Sequence, residues 1–473
     1  VQSDGRFKKC VADGNSTGEV VGVDRYLVTI KGLRGAAANA SVLFESGGRG
    51  VVRKIVGDTV LVLDLTAENT RIGELAVLEN TIVTTRVGTG LIGRVVNPLG
   101  EPLDGKGPIH FDAEWPIYSA APGIMERSIL KDQLPSGVAV VDSLFPIVFG
   151  QRIAILGDSK SGKSSFLMQL GANQKGTDRI VVYVLIGKRR IEIDQTIATL
   201  TKTGAIANSI VIVAGIFNSL TQSYLAPYIG CAIAEYLWHN NRDVIIIYDD
   251  LSSHAKVYRE VSLLANANPG RDSYPGDMFF AHSSLLERAG KLSKNNKTLT
   301  ALPVVITPGD DITAFLPTSV MSITDGQIIF DLSTFRQNIR PAVNTGLSVS
   351  RVGGRAQSQR QKILSGTIFK KLTEYRQATE FARFGPDLAP ETKIALQLGR
   401  LIIEAFRQNQ VERFSLIEQQ LVLETVLASA GVHEIDVTNL KERAKKAAST
   451  IQDDDAIDKA VQELLSESVG KSE

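Results

Sequence analysis

Residues 157–164 read GDSKSGKS, two glycines bracketing four residues and followed at once by a lysine and a serine. This is the G-x-x-x-x-G-K-[ST] spacing of a phosphate cradle, and each residue type has a physical reason to be there. Gly157 and Gly162 let the backbone fold around phosphate oxygens with several N–H groups turned inward, and Asp158, Ser159, Lys160 and Ser161 form the turn between them. A helix starting here adds its positive N-terminal end. Lys163 is placed to reach the β and γ phosphates, the hydroxyl of Ser164 to ligate Mg²⁺, and Ser165 to add a phosphate contact. The chemistry indicated is the binding of ATP or ADP together with Mg²⁺. A second element of such a Mg²⁺ site is an acid at the carboxyl end of an apolar strand, the edge of an open α/β sheet that faces the ligand. VIIIYDD supplies Asp249 and Asp250. Asp249 is read as the outer-shell Mg²⁺ partner and Asp250 as the residue orienting the loop, although a helix N-cap would account for one of the two carboxylates equally well.

These residues need a scaffold, and the sequence supplies one. GDSKSGKS follows the apolar QRIAIL and precedes the helical SSFLMQLGA, so strand, turn and helix come in the required order. Between about 90 and 350, the runs QRIAILG, RIVVYVLIG, SIVIVAG, DVIIIYDD, ALPVVIT and SITDGQIIF alternate with helical stretches, the pattern of a largely parallel sheet buried on both faces. Before this, from about 18 to 85, short β-rich pieces (GEVVGV, RYLVTI, SVLFE, GVVRKIV, TVLVLDL) are separated by turn residues and suggest a small barrel. After about 355 helical signals take over. Ile394, Leu398, Leu401, Ile402 and Ala405 share one helical face, and Ser415 with Glu418 forms a capping-box pattern. The last stretch, rich in Lys, Asp, Glu and Ser, reads as a mobile or surface helix. The expected fold is α/β multidomain: an N-terminal β-barrel (1–87), a central RecA-like P-loop α/β domain (88–354) and a C-terminal α-helical bundle (355–473).

The totals exclude several classes. Among 473 residues, 52 Lys and Arg stand against 51 Asp and Glu, so no bulk basic field exists to hold a nucleic-acid backbone. Cys10 and Cys231 are too far apart in sequence to suggest a metal knuckle or redox pair and are read as structural. The most apolar runs are strand-length, well short of the roughly 20 residues of a membrane-spanning helix, so any membrane association is expected to be peripheral. VQSDGRFKKC lacks the apolar core of a signal peptide.

Beyond the cradle, a series of stretches is more specific: DGKGPI (104–109), APGIMER (121–127), AVVDSLFPI (139–147), YLAPYIGC (224–231), IIYDDLS (246–252), YPGD (274–277), SLLERAG (284–290), SITDGQI (322–328) and IRPAVNTGLSVSRVGG (339–354). In this order, and over roughly 18 to 430, the sequence resembles the alpha subunits of F-type rotary ATP synthases; YDD and SVSRVGG are alpha-like rather than beta-like forms. The resemblance implies that Phe335 and Arg340 of FRQNIRP line the nucleotide pocket and that Gln408 and Gln410 of FRQNQ close over adenine. It implies that Arg351 of SVSRVGG reaches across a subunit boundary to the γ-phosphate held by a neighbouring beta subunit, a role that suits a planar, permanently charged guanidinium. The partners implied are catalytic beta subunits in an alternating hexamer, a central-stalk gamma subunit and, at the N-terminus, a peripheral-stalk subunit. The setting implied is an ion-transporting motor driven by protons or sodium ions, peripheral on the cytoplasmic face of a bacterial plasma membrane or the matrix face of a mitochondrial inner membrane.

Hydrolysis also needs a residue that activates water, and beta subunits carry a glutamate shortly after the strand that follows the P-loop helix. Here that strand ends LIGKRRIEI, placing Lys188 at the matching position, where alpha subunits usually have glutamine. A protonated lysine accepts no proton from water. Ser159 and Lys160 also depart from the Arg and Gln typical of relatives, and Glu192 is out of register for a substitute base. The protein is therefore expected to bind nucleotide without turning it over. A self-sufficient hexameric export-type ATPase is the alternative, and it predicts a glutamate where Lys188 stands. A hexameric RNA helicase would need an aromatic, basic N-terminal barrel, whereas 18–85 holds only Tyr26 and Phe44 as aromatics.

Overall fold

The computed structural model describes residues 3–66, 70–216, 219–382, 389–430, 435–451 and 453–468. The polypeptide forms two compact units, each assembled from separate stretches: one from Val1–Ile129, Gln174–Ile306 and Thr313–Thr324, the other from Leu130–Asn173, Thr307–Ile312 and Asp325–Glu473.

The first unit opens with a helix, Ser3–Ala12, whose Phe7 packs on Leu43 and Val77. A closed barrel follows, built from Thr17–Asp24, Leu27–Lys31, Ser41–Phe44, Arg49–Val56, Thr59–Asp64 and Leu75–Asn80. Alternate residues point inward, so Val20, Val28, Ile30, Val42, Phe44, Val52 and Val62 fill the interior. Five of the strands coincide with the expected β-rich pieces. The sixth, Leu75–Asn80, closes the barrel by pairing with the first and third.

In the same unit, the strands Thr298–Ile306, Val244–Asp249, Ile180–Lys188, Ser209–Gly215 and Val95–Val96 lie side by side in that order, all parallel. Their Val- and Ile-rich runs are buried on both faces, as a parallel sheet covered by helices requires. Arg53 of the barrel donates to the hydroxyl of Tyr258 at 2.9 Å and pairs with Asp277, joining barrel and sheet layer. Beneath the helices, the buried Arg288 guanidinium forks onto Glu235 and donates to the Ile117 carbonyl at 2.7 Å. Both cysteines are free, and burial pushes the Cys231 thiol up to about 12, so it is an inert core group.

The second unit holds the parallel strands Ala154–Gly157 and Gly326–Phe330, with Val349–Ser350 antiparallel on Gly326–Gln327. Its α-helices are Ala139–Leu144, Lys163–Asn173 and the short Leu332–Arg336, then Gln359–Phe381, Pro390–Phe406, Leu416–Ala428, Val437–Ala447 and Asp454–Ser468. The capping box at Ser415 and Glu418 is present, each side chain accepting from the other's backbone N–H. On Pro390–Phe406, Leu398, Ile402 and Ala405 are buried, but Ile394 is 41% exposed, because the face packs only from the third turn onward. The C-terminal stretch forms the surface helix expected of it. Ile457, Val461 and Leu464 are buried on one face of Asp454–Ser468, which packs against Leu416–Ala428, and Arg360 ties Glu424 to Asp458. No described helix is long and apolar enough to cross a membrane.

Candidate functional site

In the second unit, the strand Ala154–Gly157 is wholly buried and delivers the backbone into the turn 157–162. Gly157 has φ 150°, and a β-carbon there would run into the Phe330 carbonyl and the Ser161 hydroxyl, so only glycine fits. Gly162, at φ 104°, completes the turn, and Lys163–Asn173 begins immediately after. The turn is braced from within. Asp158 accepts from its neighbour Ser159 N–H at 2.6 Å and from Gly309 N–H at 2.8 Å, one bond on each carboxylate oxygen.

Lys163 is 8% exposed, and its ammonium donates to the carbonyls of Gly157 and Asp158, both at 2.7 Å. The first turn of its helix leaves N–H groups with no partner inside the helix. The Ser161 hydroxyl is buried and has no hydrogen-bond partner among the described residues. A buried orphan hydroxyl, a buried ammonium and a helix start together form a preorganised anion site.

A cavity of about 670 Å³ opens on this turn, lined by Lys160 to Phe166 and, among others, by Phe335, Arg340, Gln408 and Gln410. The sequence-predicted pocket residues of this unit therefore converge. Phe335 lies on the short helix Leu332–Arg336, which Asp331 caps through the N–H groups of Ser333 and Thr334. The exposed Arg340 guanidinium stacks over the Phe335 ring at 4.7 Å and donates to Asn338.

The two glutamines divide. Gln410 is exposed and donates to the Ser165 hydroxyl at 2.9 Å. The buried Gln408 carboxamide instead accepts from Ala139 N–H at 3.1 Å and donates to the carbonyls of Gly137 and Glu412 at 2.6 and 2.8 Å. It thus holds backbone in place and presents no free polar atom to the cavity. Gln169 and Arg413 tie the cradle helix to the same loop. Arg351 stands apart: it is exposed, does not line the cavity, and follows the strand Val349–Ser350, with its N–H bonded to the Asp325 carbonyl at 3.0 Å.

In the first unit, Asp249 ends the strand Val244–Asp249 beside Leu185 of Ile180–Lys188. Asp250 caps the helix Leu251–Leu264, its carboxylate accepting from Ser253 N–H at 2.6 Å. The N-cap alternative thus accounts for Asp250 and leaves Asp249 unexplained by capping. The register shifts between Ile186 and Lys188, and Gly187 takes φ 64° against Ser253, where a β-carbon would lie 2.9 Å from that residue's own. Beyond this bulge the Lys188 ammonium pairs with Asp249 at 2.7 Å and Asp250 at 3.4 Å. Burial alone would pull this lysine down, but the two carboxylates outweigh it and hold it above the ordinary lysine range; it is a cation at neutral pH. Burial pushes Asp250 up, against the pull of Lys188. Glu192 is the capping-box partner of Arg189, whose hydrogen bond keeps its carboxyl below the usual range, so it is a poor proton acceptor. Sequence reasoning named Lys188 but not its ion pair, for which the alternation of charge in LIGKRR and YDD offered no direct signal.

No cluster of three or more His, Cys, Asp or Glu placed to hold a metal exists among the described residues. A divalent cation here would rest on phosphate and water oxygens and on the exposed Ser164 hydroxyl, a donor set that fits Mg²⁺.

Two family models match the sequence. That of the ATP synthase alpha/beta family, nucleotide-binding domain, matches residues 137–350, and that of the C-terminal domain shared by ATP synthase alpha and beta subunits matches 357–471. Among curated relatives, ATP synthase subunit alpha of Clostridium botulinum (strain Eklund 17B) is 44% identical over 381 residues, 80% of the present sequence and 75% of that protein. Subunit alpha of Caldanaerobacter subterraneus subsp. tengcongensis is 42% identical over 418 residues, 88% of the present sequence and 82% of that one. Subunit alpha of Anaplasma marginale (strain Florida) is 41% identical over 427 residues, 88% and 84%. With a closed barrel, a nucleotide-binding α/β region and a helical C-terminal region behind these matches, the chain belongs to the alpha-subunit family of ATP synthases and is a component of an ATP synthase complex.

Proposed function

We propose that this protein is the non-catalytic, nucleotide-holding subunit of an F-type catalytic head, built as a barrel (1–87), a nucleotide domain (88–354) and a helical domain (355–473). It alternates with three catalytic beta subunits around a gamma stalk, meets a peripheral stalk near its N-terminus, and serves a complex coupled to proton or sodium flow on the cytoplasmic face of a bacterial membrane. In this reading the backbone of 157–165 and Lys163 take the phosphates, Phe335 and Arg340 wall the pocket, and Gln410 faces the base while Gln408 buttresses the loop behind it. Ser164, and through water Asp249, are the residues proposed for Mg²⁺, which would neutralise phosphate charge when bound. Arg351, exposed and outside the cavity, is the finger offered to a neighbouring beta subunit.

The single observation that carries the non-catalytic reading is the state of Lys188. At the strand end where a hydrolytic site needs a proton acceptor, this subunit has an ammonium locked between two carboxylates. The same observation counts against a self-sufficient export-type ATPase. Steady-state phosphate release by the purified protein tests the proposal: ATP is bound but turnover is negligible, and turnover on the order of 10 per second, an ordinary enzyme rate, overturns it.

A further inference from the structure

In the second unit, the segment 408–414 forms neither helix nor strand, yet its Gln410 lines the nucleotide cavity. The group that holds it in shape is the carboxylate of Asp142, which lies on the helix Ala139–Leu144 and is 3% exposed. Its Oδ1 accepts from the N–H and the hydroxyl of Ser136 at 2.8 and 2.7 Å. Its Oδ2 accepts from Gly137 N–H at 2.9 Å and from the Gln419 carboxamide at 3.0 Å. All four partners are donors, the set that suits an ionised carboxylate. Burial pushes this carboxyl up against their pull. Two of the links continue into the segment. Gly137, fixed through its N–H, presents its carbonyl to the Gln408 carboxamide at 2.6 Å and to Phe414 N–H at 3.3 Å. The Gln419 nitrogen that meets Asp142 also donates to the Phe414 carbonyl at 2.9 Å. One buried carboxylate thus secures both ends of 408–414.

We infer that Asp142 is a positioning residue for the base end of the nucleotide pocket, acting through Gly137 and Gln419 to keep Gln410 at the cavity. The inference rests on the proposal above that Gln410 faces the base. Gln410 is itself exposed, so its placement comes from the backbone that carries it. The phosphate end does not depend on this carboxylate, because the turn 157–162 is braced by Asp158 and by the N–H groups of Thr307 and Gly309. Loss of the Asp142 bonds therefore weakens recognition of the base and spares recognition of the phosphates. Asparagine at 142 keeps the shape but turns an NH₂ group toward partners that are themselves donors.

The test is calorimetric titration of the purified full-length protein in Mg²⁺, with ATP and with inorganic tripolyphosphate, for the wild type, Asp142→Asn and Gln419→Ala. Tripolyphosphate offers the phosphates without the base. ATP affinity falls about tenfold in Asp142→Asn and about threefold in Gln419→Ala, which breaks one link of the two, the scale of one or two hydrogen bonds. Tripolyphosphate affinity stays within about twofold of the wild type in both. A parallel fall for the two ligands marks a merely structural role and overturns the inference. So does an unchanged ATP affinity in folded Asp142→Asn. If Asp142→Asn does not fold, the same pair of titrations on Gln419→Ala decides. A wild type that binds neither ligand overturns the nucleotide-site reading and the inference with it, whereas one that binds both equally tightly overturns the inference alone.

Discussion

Replacing Lys163 by alanine separates phosphate recognition from stability of the cradle. Its ammonium is buried and donates to two carbonyls at 2.7 Å, those of Gly157 and Asp158. Neither carbonyl depends on it alone, because Gly157 O also accepts from Thr307 N–H at 3.1 Å and Asp158 O from Ser161 N–H at 3.3 Å. The variant therefore keeps the turn. What it loses is the ammonium buried inside the turn, and a charge-assisted contact to phosphate contributes about 1.5 to 3 kcal/mol. That corresponds to a fall in ATP affinity of about 10- to 150-fold. Calorimetric titration of the full-length protein with ATP measures it, and a thermal melt of the unliganded variant, expected to lie close to the wild type, serves as the control. An unchanged ATP affinity in a folded variant refutes the assignment of Lys163 to the phosphates. A large drop in melting temperature refutes the argument that its two carbonyls remain satisfied.

Other substitutions probe single contacts. Gln408→Ala leaves the N–H of Ala139 and the carbonyl of Gly137 without their side-chain partner, which costs about 1 to 3 kcal/mol for a buried group and lowers the melting temperature. Gln410→Ala, at an exposed position on the cavity, leaves the melting temperature alone and weakens ATP binding; the reverse pattern in the two melts and titrations refutes the division of roles. Burial holds His254 down to about 4, with His282 and the Tyr224 carbonyl as its ring partners, whereas an unfolded histidine titrates near 6.5. Between these values the unfolded state binds the proton first. The contribution is therefore complete above about pH 6.5 and declines by about 3 kcal/mol as pH falls to 4. Urea midpoints from pH 7 to pH 4 follow it, and a His254→Gln variant with an undiminished acid slope contradicts it.

Legibility of the site followed sequence distance. The cradle was plain because strand, glycines, lysine, serine and helix are contiguous, and their order is their geometry. Phe335, Arg340 and Gln410 were reachable only by resemblance, since nothing in FRQNIRP or FRQNQ alone says which cavity those residues line. Gln408 shows the limit of that route. A glutamine in a sequence does not reveal that backbone groups 269 and 271 positions earlier are its partners. The same holds for Lys188, whose counter-charges lie 62 residues away in the case of Asp250 and depend on a bulge at Gly187. In the fold, the barrel and the parallel strands were legible from alternation and from continuous apolar runs. The strand Leu75–Asn80 was not, because its burial covers two successive residues, Ala76 and Val77, rather than alternating. The final helix was read as a surface helix from its charge, and its buried face lies at Ile457, Val461 and Leu464, spaced four and three apart.

In the function proposed, this subunit holds a nucleotide it does not hydrolyse and lends a guanidinium to a neighbour that does. ATP hydrolysis by the complex reconstituted with Arg351→Ala, with nucleotide occupancy of each subunit type measured in parallel, addresses both halves at once. Occupancy of this subunit's own site stays unchanged, since Arg351 does not line that cavity. Turnover falls by about three to five orders of magnitude, the contribution of an arginine finger, with little recovery in Arg351→Lys because an ammonium lacks the planar fork. Turnover within a few-fold of wild type, in a complex that assembles normally, would contradict the proposal.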